Sequence, residues 1–147
     1  MKKAQFKLTE AKESIVAEEK ERFCYEGGRH TFIFTTKNNL RLLCESDEVF
    51  GDSTFEYAPK YYLQLYTIHV LKNGYYVQVA YCFLPNKDIA TYTNMWLDLI
   101  HLCTTLVNKE LKIKNFVADF EIAAHISVFN IFQCKIRCCR FHLGQNF

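Results

Sequence analysis

The sequence predicts an α/β fold, a mixed sheet with helices packed on its faces, and three observations predict it. Two long apolar, β-rich runs, residues 61–71 (YYLQLYTIHVL) and 75–84 (YYVQVAYCFL), are joined by Lys72-Asn73-Gly74. Asn-Gly between such runs is the strongest short hairpin signal. After Pro85 the period changes: Ile89, Tyr92, Met95, Leu99, Leu102 and Leu106 step by three or four, one face of a helix of about five turns. Beyond it, extended and helical stretches alternate. Hairpins that give way to β-α-β-α-β specify a sheet with both antiparallel and parallel strands.

Taken in order, residues 2–22 are rich in Lys, Glu and Ala, and Glu18 and Arg22 stand four apart, as a helical ion pair does. Residues 1–28 are read as a charged helical leader, closed by Gly27-Gly28, and residues 29–147 as one domain. Residues 30–36 (HTFIFTT) and 40–45 (LRLLCE) flank the turn-like Lys37-Asn38-Asn39 and are expected to pair as a hairpin. A strand over 49–59 (VFGDSTFEYAP) follows. The two long runs after it are apolar on both faces, as central strands covered on both sides are. Asp88 or Thr91 is the expected cap of the first long helix. Residues 114–119 (KNFVAD) form a short strand, and a second helix carries Ile122, Ile126, Phe129 and Phe132 on one face. Residues 134–143 (CKIRCCRFHL) end the pattern as a strand.

Half of the 147 residues are hydrophobic and 16% are aromatic, ample for the core of a single domain. Net charge is +2 and the pI about 8.1, so bulk electrostatics give no argument for nucleic acid. From residue 134 onward Lys135, Arg137 and Arg140 are unopposed by acids. They are weak candidates for phosphate contacts, and a solvated strand edge accounts for them equally. Seven cysteines, odd in number and scattered, do not form a disulfide framework. No secretory signal and no membrane span are expected. The simplest location is a reducing, intracellular one.

Asp52 sits mid-strand, where aspartate is a poor strand former, and a buried carboxylate is costly unless paired or metal-bound. Asp119 ends the strand that follows the first long helix. In a mixed sheet these two strands can be neighbours. Two carboxylates at one end of a cleft suit magnesium or manganese and the two-metal chemistry of phosphoryl transfer, which ordinarily uses a third acid. Plainer readings stand beside this one. Asp119 fits the N-cap of the next helix, and Asp52 fits a bulge beside Gly51.

Four motifs, in order, resemble the core of Mutator-like element (MULE) transposases. They are Asp52-Ser53-Thr54-Phe55, Gln64-Leu65-Tyr66-Thr67-Ile68-His69, Leu84-Pro85-Asn86-Lys87 with the helix start after it, and "VADFEIAAH" around Asp119, followed by Cys139-x-x-His142 and Gln145. The resemblance covers roughly residues 30–147. It implies a ribonuclease-H-like fold and cut-and-paste DNA transposition at a DDE site. Asp52 and Asp119 would be its first two acids, holding Mg²⁺ or Mn²⁺ while water or a DNA 3′-hydroxyl attacks a phosphodiester. It also implies DNA ends as partner, a homo-oligomeric transposition complex and a nuclear location. Ser53 replaces the family's usual glycine and Ala118 its threonine; both are small and neither removes a ligand. The family's third acid, a glutamate, lies well downstream of Cys-x-x-His. The resemblance therefore implies a domain incomplete at its C-terminus and not active alone.

Cys139 and His142 have a spacing that zinc can use, with Cys134 and Cys138 near, but zinc wants four ligands. On a straight strand 134, 138 and 142 share one face and 139 takes the other, so ordinary buried cysteines are the simpler account. His69, His101 and His125 lie within strand or helix patterns and carry no assigned role. Three functions compete: an active transposase domain, a transposase-derived domain that binds DNA or protein without cleaving, and an unrelated α/β binding module. The motifs favour the first two.

Overall fold

Asn73 and Gly74 turn the chain with φ of 52° and 82°, so the two-residue hairpin takes the positive-φ geometry that Asn-Gly favours. A computed structural model describes residues 22–27, 31–54, 62–119 and 121–138 of the 147. The elements run β1 (Arg22–Glu26), β2 (Phe32–Thr36), α1 (Lys37–Glu45), β3 (Glu48–Thr54), β4 (Gln64–Lys72), β5 (Tyr75–Leu84), α2 (Ile89–Leu106), β6 (Asn115–Ala118), α3 (Ile122–Phe132) and β7 (Lys135–Cys138). Among the described residues the strands make one seven-stranded sheet, ordered β1-β2-β5-β4-β3-β6-β7. From β1 through β3 the neighbours are antiparallel, and β3, β6 and β7 are mutually parallel neighbours. The fold is the mixed α/β sheet that the sequence predicts.

Residues 40–45 are a correction. They form the body of α1, not a strand, and β2 pairs with β1 and β5 instead. The Thr36 side chain accepts from the Asn39 N–H at 3.0 Å, an N-cap. Leu40 and Leu43, three apart, are fully buried. A cap plus helical spacing outweighs the turn-like look of Lys37-Asn38-Asn39. β1 is an edge strand that the sequence pattern does not announce. The expected leader helix lies outside the described residues, except that Arg22 opens β1.

α2 runs as predicted, capped by Asp88, whose carboxylate accepts from the Thr91 N–H at 2.8 Å and the Thr91 hydroxyl at 2.6 Å. Its buried face is Tyr92, Met95, Trp96, Leu99, Leu102 and Cys103, while Ile89 and Leu106 at its ends are exposed. α3 is rotated from expectation. Ala124, Ser127 and Val128 are buried, whereas Ile122, Ile126 and Phe129 face solvent. Small residues let α3 lie close against α2, and only Phe132 of the predicted face packs on the core, edge-on to Trp96 at 5.6 Å.

The three described helices share one face of the sheet: α1 packs on α2, and α2 on α3. The expectation of helices on both faces is therefore corrected for the described residues. On the helix side Gln64, Tyr66, Ile68 and Val70 of β4 are all buried and continue into Ile33, Ala80, Cys82, Trp96 and Phe116. The other face holds a smaller cluster, Cys24, Phe32 and Phe34 with Tyr62 and Phe83. Strand alternation thus gives one dry face and one more open face.

Candidate functional site

β3 and β6 are adjacent and parallel, yet the chain leaves them in opposite directions. From β3 it passes to β4 on one side; from β6 it passes through α3 to β7 on the other. In open α/β sheets a reversal of this kind marks the ligand-binding end, at the carboxyl ends of the strands. Asp52 and Asp119 stand at this end. Glu48, Val49 and Phe50 pair with Asn115, Phe116 and Val117, an offset of 67 at each pair (115 − 48), and Asp52 and Asp119 differ by the same 67 (119 − 52). The same offset, carried two residues past the last paired rung, falls on Asp52 and Asp119, the latter just beyond β6, which ends at Ala118.

The plainer readings of the two aspartates do not describe this geometry. Gly51, Asp52 and Ser53 pair in unbroken register with Ile68, Thr67 and Tyr66, so Asp52 is in no bulge. The irregularity of the sheet lies elsewhere, between Ile68 and His69 where β4 meets β5. The N-cap of α3 is Glu121, which makes no side-chain capping bond; Asp119 is two residues earlier, at the strand end. Both aspartates are half-buried.

The surroundings are set by alternation along β3. Gly51 faces the helices: a Cβ there would stand 2.8 Å from Tyr66 Cζ and 2.9 Å from Phe116 Cζ. Asp52 faces the open side with its cross-strand partner Thr67. His69, two residues along β4, feels Asp52: burial holds its imidazole below the usual range, and the Asp52 charge opposes that shift. Its Nδ1 is buried with no hydrogen-bond partner among the described residues. Sequence reasoning passed over His69, because the register of β3 on β4 is a non-local fact.

Behind the aspartates lies a buried polar network, also missed. Gln64 is 0% exposed. Its Nε2 donates to the Asn86 carbonyl at 3.0 Å and to the Tyr92 hydroxyl oxygen at 2.9 Å, and its Oε1 accepts from the Ser53 hydroxyl. A buried amide must be paired, and here the pairing ties β3, β4 and the start of α2 together beside Asp52. Tyr66 and Tyr92 meet edge-on at 5.4 Å. Burial drives both phenols well above their usual range, and the charges of Asp119 and Glu121 push the same way. Negative charge therefore gathers at this sheet end. The N-termini of α2 and α3 open here as well and favour it.

The basic candidates are dispersed. Arg137 forms an ion pair with Glu48, Lys135 is exposed on β7, and Arg140 lies outside the described residues. So do Cys139, His142 and Gln145. Cys134 is buried and its thiol is raised by that burial, while Cys138 is half-buried at the end of β7. Among the described residues no three His, Cys, Asp or Glu side chains converge on one point. As donors, the two carboxylates fit a hard divalent cation, which takes oxygen ligands and retains several waters. Compared with known protein families, curated proteins and solved structures, the chain matches none.

Proposed function

We propose that this chain carries the catalytic core of a DNA transposase of the MULE type, with a ribonuclease-H-like fold. One observation carries the reading: β3 and β6 are parallel neighbours paired at a constant offset of 67 (115 − 48), which is also the separation of Asp52 and Asp119 (119 − 52), so the two aspartates follow the paired stretch on neighbouring strands. Support also comes from the order of the sheet, in which a β3-β4-β5 meander is followed by β6 and β7, each reached through a helix.

In this reading Asp52 and Asp119 hold Mg²⁺ or Mn²⁺. The metal, when bound, activates an attacking oxygen and stabilises the leaving one. The protein's own part is placement. Pairing with Thr67 of β4 holds Asp52 in the sheet, and a rigid sheet positions a ligand better than a loop does. Gln64 and Ser53 hold the end of β3 against α2. DNA is the proposed partner, within a homo-oligomeric complex in the nucleus, and Lys135 and Arg140 are candidates for phosphate contacts. A second reading, a transposase-derived domain that binds DNA or protein without cleaving it, rests on the pair standing without a third converging ligand among the described residues.

The test is Mn²⁺ titration of the wild-type chain, Asp52→Asn and Asp119→Asn, read by calorimetry or paramagnetic relaxation. Each substitution is expected to weaken binding at least about tenfold, as loss of one of two charged oxygen ligands does. Unchanged Mn²⁺ affinity in both variants would sink the paired-carboxylate site.

A further inference from the structure

On the open face of the sheet, His69 is a diagonal neighbour of Asp52. In the β3–β4 register Phe50 stands opposite His69 and Asp52 opposite Thr67, so Asp52 and His69 share one face, one rung pair apart. Diagonal positions of an antiparallel pair lie about 7–8 Å from each other. The Thr67 hydroxyl donates to the Asp52 carbonyl at 3.4 Å and ties the two strands at this rung. The irregularity between β4 and β5 falls between Ile68 and His69, and bulges beside functional sites re-aim a side chain. Past it His69 pairs with Gln78, whose carboxamide oxygen accepts from the Tyr81 hydroxyl. Phe50 and Tyr76 meet edge-on at 5.1 Å. Their strands flank β4, so the two rings bridge over it on the side of His69. The imidazole is half-buried there, and its Nδ1 is buried with no hydrogen-bond partner among the described residues. A buried ring nitrogen in that state calls for a partner.

We propose that His69 is a nitrogen ligand, through Nδ1, of a divalent cation on the β4 side of Asp52, and that this donor makes the position prefer Mn²⁺ to Mg²⁺. The inference rests on the reading of Asp52 as a metal ligand. Asp52 is on the middle strand of three: β4 brings His69 to one flank and β6 brings Asp119 to the other. The three do not converge on one point; each flank pairs with Asp52 separately. A carboxylate between two cation positions is the arrangement that two-metal phosphoryl transfer uses. With bonds of about 2.1 Å to each ligand, a cation bridges a diagonal gap of this kind.

The chemistry of the donor sets the preference. Mg²⁺ takes oxygen ligands and gives up its waters reluctantly. Imidazole suits first-row transition ions, whose affinity for a mixed nitrogen and oxygen site follows softness and geometry. A histidine ligates in its neutral form, and burial favours the neutral form of His69. The other described histidines, His101 and His125, sit on α2 and α3, on the opposite face of the sheet, so His69 is the described histidine that shares a face with Asp52.

The experiment loads the full chain with Mn²⁺ and reads it by calorimetry and by electron spin echo envelope modulation, in which a directly bound nitrogen modulates the echo. Nitrogen modulation is expected in the wild-type chain and is expected to disappear in His69→Gln. The same substitution should weaken Mn²⁺ binding about tenfold and Mg²⁺ binding by less than about twofold, since the lost donor is one that Mg²⁺ does not favour. If Asp52→Asn weakens Mn²⁺ binding but the wild-type echo carries no nitrogen modulation, or if the modulation survives His69→Gln, the proposal is overturned while the carboxylate site stands. If Asp52→Asn leaves Mn²⁺ affinity unchanged, Asp52 is not a ligand and both readings fall. His69→Asn takes the place of His69→Gln should the latter not fold, and absence of the wild-type nitrogen signal overturns the proposal without any variant.

Discussion

Gly51 and Asp52 are chain neighbours on β3 with opposite surroundings. Gly51 is pressed against Tyr66 and Phe116 on the dry, helix-covered face, where any added carbon collides. Asp52 looks to the more open face, half-buried, with Thr67 across from it and His69 nearby. One strand therefore serves two ends. Its inward residues hold the sheet to the helices, and its outward residues, Asp52 among them, lie on the more open face. The period of two in strand geometry gives a single element one packed face and one more open face.

That separation can be broken from either face. The largest effect is expected at the centre of the helix side. Trp96→Ala removes a side chain 1% exposed that meets Phe116 and Phe132 edge-on. It should cost about 3–5 kcal/mol, read as a lower urea midpoint at constant m-value. Gly51→Ala is expected to cost about 1–3 kcal/mol by overpacking, since buried Tyr66 and Phe116 have nowhere to retreat. A Gly51→Ala chain as stable as the parent would mean that the two faces differ less than described.

Asp98 of α2 sharpens the comparison through pH. Burial raises its carboxyl above the ordinary 3.8, partly countered by His101, and its Oδ2 is buried with no hydrogen-bond partner among the described residues. A raised acid binds its proton more tightly folded than unfolded, so stability falls as pH rises from about 3.8 through the folded value. Asp98→Asn should flatten that slope in a series of melts between pH 3.5 and pH 7. The smallest effect is expected on the outer side of α3. Phe129 is 53% exposed, and Phe129→Ser should move stability by no more than about 0.5 kcal/mol. A loss above 2 kcal/mol would mean that something covers that side of α3.

Local signals in the sequence held where a local interaction decides the structure. Asn73-Gly74 makes its own turn, and Asp88 with the three-four spacing of Tyr92, Met95, Leu99 and Leu102 makes its own helix. They failed where packing decides. In α3 the larger side chains suggested the buried face, but the close approach to α2 selects Ala124 and Ser127. In α1 the Thr36 cap and the burial of Leu40 and Leu43 decide for a helix where Lys37-Asn38-Asn39 reads as a turn. Of the candidate site, motif resemblance singled out Asp52 and Asp119; Gln64 and His69 stand in a quoted motif and Tyr92 on a helix face, but what they touch follows only once β3, β4 and α2 are in place, because cross-strand register is not encoded by any short stretch.

The hairpin tip offers a practical handle. A side chain added at Gly74 would meet nothing within 4 Å. The turn joins the carboxyl end of β4 to β5, and β4 is antiparallel to β3, so the tip lies at the far end of the sheet from Asp52. Exposed loop tips accept insertions, and an affinity tag or fluorophore spliced there would report on the folded domain while leaving the end of the sheet that carries Asp52 undisturbed.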